Sequence, residues 1–217
     1  MLLETEAVHP APDDMEIAPG YTVGDWKALA LGDASSPDWQ RAIDIFETRI
    51  RRRFIEPVDV LIAHEIGLER GAFGFAILAI DCLLIESLQG FREGVTDHTG
   101  KSGALIRKFL AERAEFKALF SSEQIAGDFY KHYRCALLHS GQTDGDFRVR
   151  RSGQMIQFVE GKGVDLNRTA FHEAVKRELD RYLDELRAGS DTNLRNSFRM
   201  KMDAVCGIPA AKNGKES

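Results

Sequence analysis

The sequence predicts an all-α fold, an antiparallel helical bundle carrying one inserted β-hairpin. Three observations point there. Apolar residues recur every three or four positions over most of the chain. Residues 72–91 are apolar nearly all round, as the central helix of a bundle is. Residues 146–160, "DFRVRRSGQMIQFVE", alternate apolar and polar instead. With 217 residues, 43% hydrophobic and 29% charged, the chain is long enough for one substantial core and too apolar to stay unfolded.

Residues 1–35 contain three of the six prolines and no sustained period, which predicts an irregular N-terminal arm. Ser36 and Pro37 then suit the N-cap and first position of a helix whose stripe is Trp39, Ile43, Phe46 and Ile50. Pro57 is expected to end it, leaving a shorter helix in "PVDVLIAHEIG". The central helix should close at Gly90 and the "REGVTDHTGKSG" stretch around it. A fourth helix is read in "ALIRKFLAERAEF". A fifth runs from Ser121 or Ser122, with Glu123 or Gln124 in its first turn, to Gly141. Ser152 and Gly153 mark the turn of the hairpin. Phe171, Ala174, Val175, Leu179, Leu183 and Leu186 line one face of a long helix, and a last helix reaches about residue 205. The helical domain is thus expected over residues 36–206, with a disordered tail at 207–217.

The net charge of −5 argues against a general electrostatic grip on nucleic acid, so such a partner would need a locally basic surface. Cys82, Cys135 and Cys206 are odd in number and lack CxxC spacing, which fits a reducing cytoplasm better than a disulfide framework or zinc ribbon. The first 20 residues are acidic and broken by prolines, unlike a signal peptide. Asp81 and Glu86 interrupt the apolar run 72–88, so a buried helix is expected and no membrane partner.

The chemistry concentrates in "YKHYRCALLHSG", residues 130–141. Helical residues seven apart differ by only about 20° around the axis. Asp128, His132, Cys135 and His139 therefore form one polar stripe, and Phe129, Tyr133, Ala136 and Leu137 an apolar one. Carboxylate, imidazole and thiolate are all zinc ligands, but a straight helix offers about two of them to one ion, so a metal would need help from elsewhere. The other reading pairs Arg134 with His139. Five positions separate side chains by about 140°, so they can meet only around one ligand at the helix end, where Gly141 releases the chain. An arginine fork beside a titratable imidazole suits a phosphodiester, since one neutralises charge and the other moves a proton.

Arg134 and His139, in "RCALLH" near the end of a long helix within a helical chain, resemble the Arg-x4-6-His motif of the HEPN superfamily (higher eukaryotes and prokaryotes nucleotide-binding). The resemblance covers about residues 72–186. It implies a homodimeric, metal-independent endoribonuclease with no cofactor, its two motifs meeting at the subunit interface. His139 would draw the proton from a ribose 2′-hydroxyl, and Arg134 would stabilise the charge on the phosphorane. The products would be a 2′,3′-cyclic phosphate and a 5′-hydroxyl, and DNA would be inert. It further implies a toxin or phage-defence setting, with a cognate antitoxin as a partner. Active members usually carry Asn, Asp or His after the arginine, whereas this chain has Cys135. The resemblance therefore carries an alternative, a non-catalytic module that binds nucleotide or RNA or serves dimerisation.

Supporting candidates are His132, Cys135, Glu86 and Asp81, because buried carboxylates need partners and Arg134 is a natural one. The same pairing also reads as purely structural. Arg148, Arg150 and Arg151 are candidates for RNA binding, as are Arg49, Arg51, Arg52 and Arg53, if they lie near the motif; otherwise they are solvated faces. "HTGKSG" has Val95 where a P-loop needs its first glycine, and no strand precedes it, so it reads as a helix-connecting loop. "HEIGL" has Leu68 in place of a zincin's second histidine and reads as a helix end.

Overall fold

The computed structural model describes residues 11–160 and 163–209. It is mostly helical with two small sheets. Residues 1–10 of the expected arm and 210–217 of the expected tail lie outside the described residues.

The rest of the arm is ordered structure rather than an irregular cover. Strands β1 (Glu16–Ala18) and β2 (Tyr21–Thr22) pair antiparallel and lead into α1 (Val23–Lys27) through a capping box between Thr22 and Asp25. Ile17, Ala18, Val23 and Trp26 are buried, and the Trp26 indole donates to Asp203 at 2.8 Å. The elements are too short to show a period in sequence, but their few large apolar groups still dock on the core.

Helix α2 (Asp38–Ile50) starts one residue later than expected, with Pro37 at the cap and the Ser36 hydroxyl accepting from the Asp38 N–H. Pro57 does not break the chain direction. The ladder widens into a π turn over Arg51–Ile55 and resumes as α3 (Glu56–His64), with Pro57 in its first turn. Proline lacks an N–H and its ring clashes with the carbonyl four residues back, so a wide turn just before it lets the helix continue.

Helix α4 (Gly74–Glu93) is the centre of the fold, and α5 (Ser102–Glu112) packs along it. By length and composition α4 matches a membrane-crossing helix, yet Ile77, Leu78, Leu84, Ile85, Leu88 and Phe91 are buried against neighbouring helices. Gly90 does not end it; Gly94, in the left-handed conformation, does. Then come α6 (Glu123–Phe129), a second π turn over Tyr130–Cys135, and α7 (Ala136–Ser140).

The expected hairpin is corrected in topology. Strands β3 (Phe147–Arg150) and β4 (Ile156–Val159) form where alternation placed them, but they do not pair. A third strand, β5 (Gly163–Asn167), lies between them, parallel to β3 and antiparallel to β4. Gly163 makes this possible: its φ is +87°, and a Cβ there would stand 2.2 Å from Asp146. Helix α8 (Arg168–Ala188) follows directly, capped by the Asn167 side chain. Its predicted stripe from Phe171 to Leu186 is buried. Helix α9 (Thr192–Val205) closes on α4. Phe46 meets Phe91 at 4.6 Å between ring centres, and Phe129 stacks on Phe171 at 5.3 Å, so aromatic contacts bind the helices into one core.

Candidate functional site

The site is built on α6, the wide turn and α7. The Ser122 hydroxyl caps α6, Gly141 ends α7 at φ +63°, and the Tyr133 hydroxyl lies 3.0 Å from the Val164 carbonyl oxygen and 3.2 Å from that of Arg148, sharing its one proton between them and fixing the middle against the sheet. The wide turn shifts the helical phase by one residue, so the stripe expected on an unbroken helix is split. Asp128 accepts from Gln124 at 2.8 Å. His132 pairs with Asp144 at 2.8 Å and stacks on Phe147. Cys135 lines the groove beside His139. The tetrad proposed from spacing is therefore not assembled, and among the described residues no group of three His, Cys, Asp or Glu is placed to hold a metal.

Arg134 lies on the α4 side. Its guanidinium donates to Glu86 at 3.1 Å and sits 5.5 Å from the centre of the Tyr130 ring. Glu86 also accepts from the Ser102 hydroxyl and bonds His98 Nδ1 at 3.0 Å. The other His98 nitrogen, Nε2, lies 2.8 Å from Lys201 Nζ on α9. An ammonium can only donate, so Nε2 accepts and Nδ1 carries the proton toward Glu86. Lys201, His98, Glu86 and Arg134 thus form one chain across α9, the α4–α5 loop, α4 and the wide turn. Burial alone would raise the Glu86 carboxyl, but the Ser102 and His98 hydrogen bonds and the Arg134 charge outweigh it and hold it below the ordinary value of 4.5. Burial lowers Lys201.

Gly90 explains how His98 fits. A Cβ there would lie 2.5 Å from His98 Nε2, so the missing side chain is the seat of the imidazole. "HTGKSG" is the helix-connecting loop expected, with Ser102 opening α5. His98, Ser102, Tyr130 and Lys201 were not among the sequence candidates; a glycine inside the most apolar helix was the available sign of a close approach.

His139 is exposed on the last turn of α7, beside an open groove of about 510 Å³ lined by Lys131, Cys135, Ser140, Gln142 and Thr143 among others. Among the described residues no hydrogen bond or ion pair joins it to Arg134, which is committed to Glu86.

Three other expectations resolve differently. Asp81 does not face the motif; it is fully buried on another side of α4, 2.7 Å from His172 Nδ1. Five residues along a helix turn a side chain by about 140°, which carries Asp81 away from Glu86's side. Arg148 and Arg150 share Asp165 at 2.6 and 3.2 Å, and Arg151 donates to the carbonyls of Glu65, Leu68 and Glu69, so these arginines form a separate cluster by β3. Arg51 and Arg52 pair with carboxylates, and Arg49 and Arg53 donate to backbone carbonyls of β1. Glu65, at the helix end read in "HEIGL", is buried and accepts from the Ala72 and Phe73 N–H groups, anchoring the entry to α4.

Comparison with protein-family models, with curated proteins and with solved structures finds no match to this chain.

Proposed function

We propose that this chain is a HEPN-like protein acting as a metal-independent endoribonuclease. The observation that carries the reading is the pairing of a fixed guanidinium with a free imidazole at the end of one interrupted helix. Glu86, anchored by Ser102 and His98, clamps Arg134 in one orientation, while His139 stands in solvent beyond it. A held cation is ready to stabilise charge developing on a phosphorane, because it needs no reorganisation when that charge appears. An exposed imidazole is available to take a 2′-hydroxyl proton.

Within one chain the two groups are not in contact, so the proposal includes a homodimer that completes the site. Its support is a pair of exposed leucines on the two helices that carry Glu86 and His139. Helices α4 and α7 pack together, and each leaves a large apolar side chain exposed, Leu83 at 54% and Leu138 at 52%. Pairing two such surfaces would bury both leucines and bring two motifs together.

Cys135 favours a second reading, a non-catalytic module for RNA, nucleotide or partner binding. A thiol offers only weak hydrogen bonding directly after Arg134, where active HEPN members present a stronger polar group.

The test is cleavage of varied RNAs in excess EDTA by wild type and His139→Ala, with product ends identified. The expected result is cleavage by wild type that leaves a 2′,3′-cyclic phosphate and falls about 100-fold or more in the variant, in keeping with loss of a general base. His139 is exposed, so the variant should fold normally. No cleavage by a folded wild-type dimer would move the assignment to the binding module.

A further inference from the structure

Most basic side chains in this protein are already spent. The arginines of residues 49–53 and 148–151, which the sequence offers as RNA surfaces, are committed to carboxylates and backbone carbonyls. Among the described residues, the side chains of Arg70, Lys101, Arg107, Lys117 and Lys131 form neither a hydrogen bond nor an ion pair. Arg70 lies in the loop before α4, and the others all belong to the segment that runs from the start of α5 to the wide turn.

Lys101, Arg107 and Lys131 surround Arg134. Lys101 directly precedes Ser102, whose hydroxyl donates to Glu86, the carboxylate that also holds Arg134. Arg107 approaches from α5. Gly103 has no side chain, and a Cβ there would meet the Tyr130 ring at 3.0 Å and Arg107 Nη1 at 3.3 Å, so the tyrosine beside Arg134 and the Arg107 guanidinium close over one spot. Lys131 follows Tyr130 and lines the groove of about 510 Å³ that His139 also lines. Lys101 and Lys131 are exposed and Arg107 is half-buried.

The carboxylates on the same elements are engaged elsewhere. Glu86 is shared among Arg134, His98 and Ser102, and Asp144 pairs with His132. Asp97 and Asp128 accept from the Thr99 N–H and the Gln124 amide. In a chain whose net charge is −5, cations left uncompensated at one place are a local focus for a polyanion. A phosphodiester presented to Arg134 and His139 is one link of a strand, and the phosphates on either side of it need cations that are not already paired.

We propose that Lys101, Arg107 and Lys131 hold the phosphates that flank the one presented to Arg134 and His139, Lys131 on the groove side and Lys101 and Arg107 on the α5 side. The inference rests on the reading of Arg134 and His139 as the place where RNA is engaged, and it makes these three side chains binding groups that take no part in proton transfer.

Fluorescence anisotropy of a labelled single-stranded RNA tests it, with every variant built on His139→Ala so that the strand is not cut. Lys101→Ala, Arg107→Ala and Lys131→Ala should each weaken binding about fivefold, and each should flatten the dependence of log affinity on log salt by about 0.7, the share of one phosphate contact on a single strand. The triple variant should lose about 100-fold. These side chains make no hydrogen bond or ion pair among the described residues, so the variants should fold, which circular dichroism checks. Arg52→Ala removes the same charge from a paired side chain that is 61% exposed, and it should leave affinity within about twofold. Equal losses in Arg52→Ala and Lys131→Ala, or unchanged affinity and salt slope in the triple variant, would overturn the surface. Affinity is read here without cleavage. A wild type that binds in this way yet cuts no RNA therefore removes the ribonuclease reading and leaves the surface standing, whereas cleavage by wild type with unchanged affinity in the triple variant does the reverse.

Discussion

Helix α4 carries two carboxylates five residues apart that meet opposite fates. Asp81 is sealed in the core against His172, with one oxygen left without a partner. Glu86 lies at the edge of the core with three side-chain partners, one of them a full positive charge. Burial raises the Asp81 carboxyl, with the His172 hydrogen bond offsetting part of that, whereas the Glu86 carboxyl is lowered. The same functional group is thus biased toward its neutral form in one place and its charged form in the other. What decides is the number and charge of the donors that reach it, since both are removed from bulk water.

The largest effect is expected from Asp81→Ala. It removes the one hydrogen-bond partner of the fully buried His172, leaving only the Asp59 carboxylate 3.4 Å from Nε2, and it opens a small cavity. Breaking a buried pair from one side should cost about 3–5 kcal/mol in urea unfolding. A loss below about 1 kcal/mol would remove the distinction between the two regions.

Glu86→Gln should cost less, about 1–3 kcal/mol, because the network is partly exposed and Gln keeps some hydrogen bonds. Its sharper signature is in pH. The folded chain holds Glu86 below 4.5, so its stabilisation is present above that value and is lost as pH falls through the lowered folded value. Asp81 has the opposite sign: its raised folded value means that stability is lost as pH rises above 3.8. Unfolding of Glu86→Gln measured from pH 3 to 6, values chosen about the ordinary carboxylate range, should therefore show a flatter acid limb than wild type. An unchanged limb would mean that Arg134 and His98 do not hold this carboxylate charged.

Gly90→Ala should have the smallest effect on stability. Alanine favours a helix interior by about 1 kcal/mol, but the new Cβ must displace His98. The two should nearly cancel, within about 1 kcal/mol, while the His98 ring resonances shift clearly in NMR spectra. A large stability loss with His98 unmoved would contradict the seat assigned to that glycine.

These contrasts also mark what could be read from residues alone. The burial of α4, the long α8 stripe and the helix ending at Gly141 were legible, because each is a local periodicity closed by a recognisable cap. The Glu86–Arg134 contact was legible as a chemical need, since a carboxylate in an apolar helix must find a donor. The same rule failed to assign partners: Asp81 had an equal need, and only the packing of α8 sends it to His172. His98 and Lys201 were invisible as a pair because 103 residues separate them. The two wide turns have no side-chain signature of their own, and they account for the broken polar stripe. β5 was missed because "GVDLN" is short, and its parallel partner lies beyond an intervening strand.

That strand order bears on how the chain comes together in time. Neither β3 nor β4 has the other as a partner, so a growing chain that ends at β4 has no sheet to form. Both ladders wait for β5, and β5 passes without a break into α8, whose Asn167 cap also donates back to the Gly153 carbonyl between β3 and β4. The sheet can therefore be completed only once β5, which leads straight into α8, is present. Tyr133, through its hydroxyl to Arg148 and Val164, makes the wide turn a party to that event, so the helix bearing Arg134 reaches its final setting only after residues synthesised some 30 positions later have arrived.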